Sequence, residues 1–200
     1  VGNIKLISGG FKMKNRESEL TDFFLIPYKV IICPDHSRSK YNWFYNYYGW
    51  SENLVVRSQL NESQELANYS PDNKYSAVDY TVGFGLDIGK KGPKFSLNVK
   101  VSDIKGALDV QFIGNSSKKY FAIQYDYLCD ILHDPNYLTK ETIQYGAYIV
   151  EHKKSKGNFS NTITADMTFM VGSGQSNFLQ TYVPPLQVSG SVTQTRNYVY

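Results

Sequence analysis

The sequence predicts an all-β protein, and three observations support this. Tyrosine occurs 17 times in 200 residues, and Asn, Ser, Thr and Gly are also abundant. Stretches with the 3.6-residue period of an amphipathic helix are scarce. Residues 75–102, finally, alternate between apolar and polar positions on both sides of a turn rich in glycine and lysine. Aromatic residues favour strands, and a period of two is the spacing of a strand.

The alternation in residues 75–102 predicts an amphipathic β-hairpin with its turn at 89–94. The apolar positions are Val78, Tyr80, Val82, Phe84, Leu86 and Ile88 on the first strand, and Phe95, Leu97, Val99 and Val101 on the return strand. The positions between them are small or polar, namely Asp79, Thr81, Gly83, Gly85, Asp87 and Gly89, then Ser96, Asn98, Lys100 and Ser102. Such a hairpin suits either the surface of a soluble core or a membrane barrel.

Length and composition limit the classes of protein to consider. A chain of 200 residues predicts one domain over 1–200 with a real core. The mean hydropathy is −0.39, and no run approaches the roughly 18 apolar residues of a transmembrane helix. A net charge of +3 without a dense basic stripe argues against a nucleic-acid partner. Since Val1 is not an initiator Met and no signal-peptide pattern follows, we expect a mature or trimmed form.

Further strands are expected on both sides of the hairpin. Buried strand structure is predicted over 21–33 with an interruption at Pro27, and a second hairpin over 143–171 with its turn at 152–157. Shorter strands are predicted at Leu54–Gln59, Leu108–Phe112, Tyr120–Tyr127 and Val188–Val192. Minor helical content is expected around 125–142, broken at Asp134-Pro135.

No arrangement of reactive residues predicts an enzyme. Asp35-His36-Ser37 has the residue types of a catalytic triad, but neighbours in sequence do not form that geometry. Cys33 and His36, together with Cys129 and His133, have spacings that suit a zinc site. The two cysteines could equally form a disulfide or remain free thiols. We expect no catalytic residue, no metal and no cofactor.

Two surface features admit a structural and a functional interpretation. Three predicted turns carry lysines, at Lys90, Lys91 and Lys94, at Lys118 and Lys119, and at Lys153, Lys154 and Lys156. Lysines keep turns and sheet edges solvated, and they could also meet anionic head groups. The run 41–50 holds seven aromatic residues in ten. Half of it is expected in the core, and exposed Trp and Tyr suit a bilayer interface or a sugar ring.

The order of these features resembles a known family. Trp50 and a strand through Val55-Val56 precede the segment Leu66–Lys74, whose Asn-Tyr-Ser-Pro-Asp-Asn-Lys sequence leads into the glycine-rich hairpin. Asn115–Tyr120, Gly146–Ser155 and Thr162–Phe169 follow in the same order. This is similar to the staphylococcal leukocidin/α-hemolysin family of β-barrel pore-forming toxins. The chain differs from that family in its shorter length, in the reduced segment 121–142 and in its two cysteines.

The resemblance implies a secreted monomer with a β-sandwich cap and a folded pre-stem hairpin at 75–112. Such a monomer binds a target cell membrane through a lipid or a surface receptor. It then forms a homo-oligomeric ring, with or without a second kind of subunit, and inserts one hairpin per subunit into a shared barrel. The residues that would bind the membrane or receptor are Trp43, Tyr45, Tyr47 and Trp50.

The same resemblance divides the stem residues between lipid and lumen. The residues that would face lipid are Val78, Tyr80, Val82, Phe84, Leu86, Ile88, Leu97, Val99 and Val101. Those that would face the lumen are Gly83, Gly85, Asp87, Ser96, Asn98 and Lys100, and the tip that crosses the bilayer holds Lys90, Lys91 and Lys94.

A second function remains open from the sequence. The protein could be a non-enzymatic extracellular or virion β-sandwich that binds a glycan or a protein through the aromatic residues 41–50. In that case the hairpin at 75–102 would be an ordinary part of a soluble core.

Overall fold

The structure is a computed structural model. It describes residues 2–13, 20–34, 47–70, 74–76, 84–89, 92–97, 108–115, 119–127, 141–173 and 186–198. Thirteen strands make up almost all of this part of the chain, and its one helical element is a 3-10 turn at Lys154–Lys156. The predicted all-β class is therefore confirmed.

The strands follow one another in the order β1 (Gly2–Ser8), β2 (Phe11–Lys12), β3 (Thr21–Pro34), β4 (Tyr47–Gln59), β5 (Gln64–Ser70), β6 (Lys74–Ser76), β7 (Phe84–Gly89), β8 (Gly92–Leu97), β9 (Leu108–Phe112), β10 (Tyr120–Tyr127), β11 (Thr142–Lys153), β12 (Phe159–Ser173) and β13 (Leu186–Tyr198). Sheet A has the order β1-β3-β11-β5, with β2 also paired to β3. Sheet B has the order β13-β12-β4-β10-β9-β6, and β7 and β8 form a two-stranded sheet. The described pairings are all antiparallel.

The two large sheets form a sandwich around one hydrophobic core. Along β3 every second residue from Asp22 to Pro34 is buried, as the period of a strand with one inward face requires. Phe24 of sheet A stacks on Phe159 of sheet B with ring centroids 3.9 Å apart. Phe121 and Tyr148 stack across the same interface at 4.1 Å. Each such aromatic pair contributes about 0.5–1.5 kcal/mol beyond the burial of its area.

Pro27 does not interrupt β3, contrary to the prediction from sequence. Its carbonyl accepts a hydrogen bond from the Gly9 N–H at 2.9 Å, so the backbone of Pro27 faces the break between β1 and β2. Proline has no N–H to donate, and a central strand tolerates it only where the neighbouring strand needs no donor. That break lies directly opposite Pro27, and the strand therefore continues.

The second predicted hairpin is wrong in its pairing, although both of its strands exist. β11 lies in sheet A between β3 and β5, whereas β12 lies in sheet B between β13 and β4. The connection at 154–158 therefore crosses from one sheet to the other. His152 is fully buried at this crossing, where its Nε2 lies 2.8 Å from the Gly157 carbonyl. Gly157 has φ of 80°, a conformation that favours glycine.

The predicted helical content around 125–142 is wrong wherever it can be compared. Tyr125–Tyr127 end β10, and Thr142 begins β11. Residues 128–140 lie outside the described residues. Tyr125 and Tyr127 are buried on the inner face of sheet B, and this packing decides their conformation.

Four buried tyrosines have hydrogen-bonded hydroxyls inside the sandwich. The Tyr28 and Tyr125 hydroxyls lie 2.9 Å apart, Gln144 donates to the Tyr127 hydroxyl, and the Tyr148 hydroxyl donates to Asn161 Oδ1. Burial raises the pKa of Tyr127 to about 12. Burial also raises the pKa of Tyr148. Burial is the main cause of the raised pKa of Tyr28, and the nearby Tyr125 raises it further. The neutral phenol is the form that fits these sites.

The free edge of β1, an edge strand of sheet A, is covered by side chains of β13 from sheet B. Gln194 of β13 accepts a hydrogen bond from the Ser8 N–H at 2.9 Å and donates to the Leu6 carbonyl at 2.7 Å. Arg196 donates to the Ser8 carbonyl at 2.9 Å. The amide of Gln194 thus provides β1 with the donor and acceptor that a further strand would supply, which protects an edge that could pair with another chain.

We expect Gln194→Ala to lower the free energy of unfolding by about 1–3 kcal/mol, because it leaves buried backbone groups of β1 without partners. Urea denaturation followed by circular dichroism measures this. Gln187→Ala is the matched control, since Gln187 lies on the same strand, is exposed and donates its side-chain hydrogen bond to Glu52 at 3.1 Å. We expect that change to stay within about 0.5 kcal/mol of the parent. Equal effects of the two substitutions would contradict the edge-closing role of Gln194.

Candidate functional site

The predicted amphipathic hairpin is present as β7 and β8. Phe84 pairs with Leu97, Leu86 with Phe95, and Ile88 with Pro93. Paired residues of an antiparallel ladder share one face of the sheet. The alternate pairs, Gly85 with Ser96 and Asp87 with Lys94, fall on the other face. The register therefore gives this hairpin one apolar and one small or polar face, as the sequence predicts.

The turn of the hairpin is shorter than the predicted 89–94. Gly89 pairs with Gly92, so only Lys90 and Lys91 connect the two strands. Two-residue connections are the commonest ones in β-hairpins. Lys94 consequently lies within β8 opposite Asp87, and the prediction that Lys94 belongs to the turn is wrong.

The two ends of the hairpin segment lie side by side in sheet B. β6 pairs with β9, with Lys74 opposite Val110 and Ser76 opposite Leu108. β9 then pairs with β10, which belongs to the body of the sheet. The ladder of β6 and β9 ends where Ser76 lies opposite Leu108, so the segment between these two residues begins and ends at one place. A segment attached in this way can change its position as a unit without pulling its two ends apart.

The hairpin approaches the sandwich along sheet A. β8 lies beside β5, the edge strand next to β11. On β11, Tyr148 and Val150 belong to the core, so Ile149 and Ala147 lie on the opposite, outer face. Their exposed fractions are nevertheless only 1% and 4%. The half-buried Phe23, Leu25, Pro27, Ile31 and Ile143 lie on the same outer face. This face is largely apolar and is interrupted by Lys29, whose ammonium lies over the Tyr145 ring.

Most of the stem residues predicted from sequence lie outside the described residues. These are Val78, Tyr80, Val82, Gly83, Lys90, Lys91, Asn98, Val99, Lys100 and Val101. Of the aromatic run, Trp43 and Tyr45 also lie outside them, whereas Tyr47 and Trp50 are part of β4, opposite Ser173 and Met170 of β12. The lipid, lumen and receptor roles of all these residues stay predictions.

Sequence reasoning missed the base of the hairpin. β6 has only three residues, Lys74-Tyr75-Ser76, and no alternating pattern. The apolar alternation of Leu108, Val110 and Phe112 predicts β9, but no feature of the sequence indicates that β6 is its partner. Only the pairing shows that the hairpin segment begins and ends at one place.

Two of the lysine-bearing turns have structural partners. Lys154 Nζ lies 3.4 Å from a carboxylate oxygen of the buried Asp22, and Lys12 approaches the other oxygen at 3.3 Å. Lys119 Nζ donates to the Glu62 carbonyl at 3.2 Å and also to the Gln64 carbonyl. Lys154 and Lys119 therefore hold their turns against the sandwich. At these two turns the structural interpretation of the lysines is favoured.

Cys33 is a free thiol, and it donates to Glu141 Oε2 at 3.4 Å. Burial, followed by the hydrogen bond to Glu141, raises the pKa of the thiol. His36, Cys129 and His133, the other members of the zinc set considered from sequence, lie outside the described residues. The described part of the chain contains no group of three or more His, Cys, Asp and Glu side chains that could hold a metal.

Comparison with known proteins relates this architecture to solved structures. No protein-family model and no curated protein sequence matches the chain. A structure described as a "Pore forming protein" aligns with a TM-score of 0.56 at 9% identity, over 98% of this chain and 96% of that one. The delta-toxin of Clostridium perfringens aligns with a TM-score of 0.54 at 9% identity, over 96% of this chain and 89% of that one. The chain has the fold of the pore-forming toxins. The resemblance seen in the sequence is thereby confirmed at the level of fold, over nearly the whole chain.

Among the described residues of this toxin fold, no helix has the length and apolar character needed to cross a membrane.

Proposed function

We propose that this chain is a secreted β-barrel pore-forming toxin. A soluble monomer binds a target cell membrane, joins other copies in a ring and inserts residues 75–112 as one hairpin per subunit. The observation that supports this best is the hairpin itself, which combines one apolar and one polar face and is attached to sheet B by two adjacent strands. No catalytic step, metal or cofactor takes part.

The physical chemistry of the bilayer agrees with this role. Backbone N–H and C=O groups must be paired within hydrocarbon, so strands cross a membrane only in a closed barrel. A crossing strand needs roughly 9–11 residues with apolar side chains toward lipid. The alternation from Val78 to Ile88, and from Phe95 to Val101, supplies such residues on both limbs. One hairpin cannot close a barrel by itself, and several subunits must therefore contribute.

In the monomer the apolar face of the hairpin needs a cover, and we propose that the outer face of sheet A provides it. Two observations support this: β8 lies beside β5, and Ile149 and Ala147 are buried although they point away from the core. Burying apolar surface stabilises by about 25 cal/mol per Å², so the docked hairpin keeps both apolar faces from water. Release of the hairpin exposes its own apolar face and the outer face of sheet A to water. Membrane insertion then buries the apolar face of the hairpin again.

Dye release tests the proposal directly. The protein is added to erythrocytes and to phosphatidylcholine–cholesterol vesicles, and the membrane fraction is run unboiled on a denaturing gel. Release together with a band of high mass is the expected result. Binding without release or oligomer would instead favour a non-enzymatic β-sandwich that binds a glycan or protein through residues 41–50.

The aromatic run gives a separate prediction about membrane binding. We expect Trp43→Ala and Tyr47→Ala each to weaken sedimentation with erythrocyte membranes, because exposed Trp and Tyr favour the bilayer interface. Circular dichroism controls for folding, which matters for Tyr47 because it lies in β4. Unchanged binding of both folded variants would remove residues 41–50 from the binding site.

A further inference from the structure

The two limbs of the hairpin segment differ in length between its base and its tip. At the base, Ser76 pairs with Leu108, and near the tip Phe84 pairs with Leu97. Seven residues, 77–83, connect β6 to β7 on the outgoing limb, whereas ten residues, 98–107, connect β8 to β9 on the return limb. If the segment becomes one continuous ladder, three residues of the return limb have no partners.

We propose that these three surplus residues loop out within 102–107, where the stem leaves the membrane, and that the crossing strands are therefore residues 80–89 and 92–101. This inference rests on the proposed function, since it concerns the inserted state of the same hairpin. In the tip register Tyr80 lies opposite Val101, so each limb crosses with ten residues. That length agrees with the roughly 9–11 residues that a tilted membrane strand requires.

The alternative is that the base register continues to the tip, and the side chains oppose it. In that register Phe84 would pair with Lys100 and Leu86 with Asn98. Because paired residues share a face, Lys100 and Asn98 would then point toward lipid in every subunit. Lysine is among the costliest residues on the lipid face of a barrel. The tip register keeps Leu97 opposite Phe84 and so preserves an apolar face.

The sequence places the surplus on the return limb independently of the pairing. Outgoing apolar residues occupy even positions from Val78 to Ile88, in phase with Lys74 and Ser76 of β6. Return apolar residues occupy odd positions from Phe95 to Val101 and even positions from Leu108 to Phe112. A change of phase is the mark of an odd number of extra residues, as in a β-bulge. It falls between Val101 and Leu108, where Gly106 tolerates irregular backbone.

A loop of this kind also cannot lie deeper in the membrane. Extra residues leave N–H and C=O groups unpaired, and hydrocarbon offers them no partner. At the membrane surface, water can pair with them. The boundary of the hydrocarbon is therefore expected at Val101. Val78, opposite Asp103 in the tip register, lies outside it, so this proposal removes Val78 from the lipid-facing residues predicted from the sequence.

A cysteine scan tests this assignment in the assembled pore. In a Cys33→Ser, Cys129→Ser background, single cysteines at positions 97–107 are labelled with an environment-sensitive dye and assembled on erythrocyte ghosts and on phosphatidylcholine–cholesterol vesicles. We expect blue-shifted, lipid-quenched emission at 97, 99 and 101, water-exposed emission at 98 and 100, and no alternation from 102 to 107. Release combined with odd-position burial continuing through 103, 105 and 107 overturns this inference alone. Absence of release and oligomer on both membranes overturns the proposed function as well.

Two deletions of equal length provide a functional comparison. Deleting 103–105 removes the surplus and is expected to keep dye release, whereas deleting 98–100 puts Val101 out of phase within the membrane and is expected to abolish it. Release retained by both deletions would overturn the assignment.

Cross-strand disulfides test the register of the two limbs even if the first deletion variant fails to fold. The Val82→Cys, Val99→Cys pair, partners in the tip register, is expected to crosslink in the pore. Crosslinking of Val82→Cys with Ser102→Cys, partners in the base register, would overturn the inference.

Discussion

Leu86→Asp is expected to abolish membrane permeabilisation while the sandwich remains folded and still binds membranes. Leu86 pairs with Phe95 near the tip of the hairpin, on its apolar face. In a barrel that position faces lipid, where a carboxylate is destabilising, although by less than the roughly 2–4 kcal/mol that Arg or Lys costs at the bilayer midplane. Every subunit of the ring carries the same change, so the cost is multiplied by the number of subunits. Dye release and membrane sedimentation of the same preparation measure the two outcomes separately.

Ser96→Asp is the matched control for this prediction. Ser96 lies on the facing strand but on the polar face, opposite Gly85, and a carboxylate there would point into an aqueous lumen. We expect this variant to retain release. If Leu86→Asp instead unfolds the monomer and the parent protein causes no release, the hairpin is an ordinary part of a soluble core and the toxin proposal fails.

Local patterns in the sequence predicted the strands better than their partners. The alternation of β3, β10 and the β7–β8 hairpin is visible in the sequence because each strand has one apolar face. The same pattern in β11 and β12 predicted two strands correctly and their pairing wrongly. A strand that buries one face has the same period whether its successor lies beside it or in the opposite sheet. The buried His152 at the crossing distinguishes the two cases only once the structure is known.

Features that depend on distant partners were the ones that sequence reasoning missed. Pro27 continues β3 because β1 and β2 break opposite it, and this depends on the pairing of residues far away in the chain. The role of Gln194 likewise depends on β1, almost the whole chain length away. The candidate site shows the same division. Its apolar face was predictable from a period of two, whereas its attachment through β6 and β9 was not.

Raising the pH above 10 is expected to destabilise the sandwich, because folding keeps three of its core tyrosines neutral while the same phenols ionise in the unfolded chain. In the folded state burial raises the pKa of Tyr127 to about 12 from its ordinary value of 10.0, and it raises those of Tyr28 and Tyr148 as well. A group whose pKa is raised on folding contributes its full stability below the unfolded pKa. That contribution is lost as the pH rises from 10 through the folded pKa. For Tyr127 alone, a pKa that is about two units higher in the folded state corresponds to about 3 kcal/mol of stability.

The raised pKa values of Tyr28 and Tyr148 act in the same direction, and a typical domain is stable by only about 5–15 kcal/mol. Urea denaturation between pH 8 and 12, with phenolate absorbance recorded in parallel, should show constant stability up to about pH 9 and a steep decline above pH 10. Tyr127→Phe separates titration from packing. It is expected to lower stability at pH 8, because the donor on Gln144 loses its partner, and to make the decline above pH 10 shallower. A variant that is less stable at pH 8 but declines as steeply as the parent would show that Tyr127 does not control the alkaline transition.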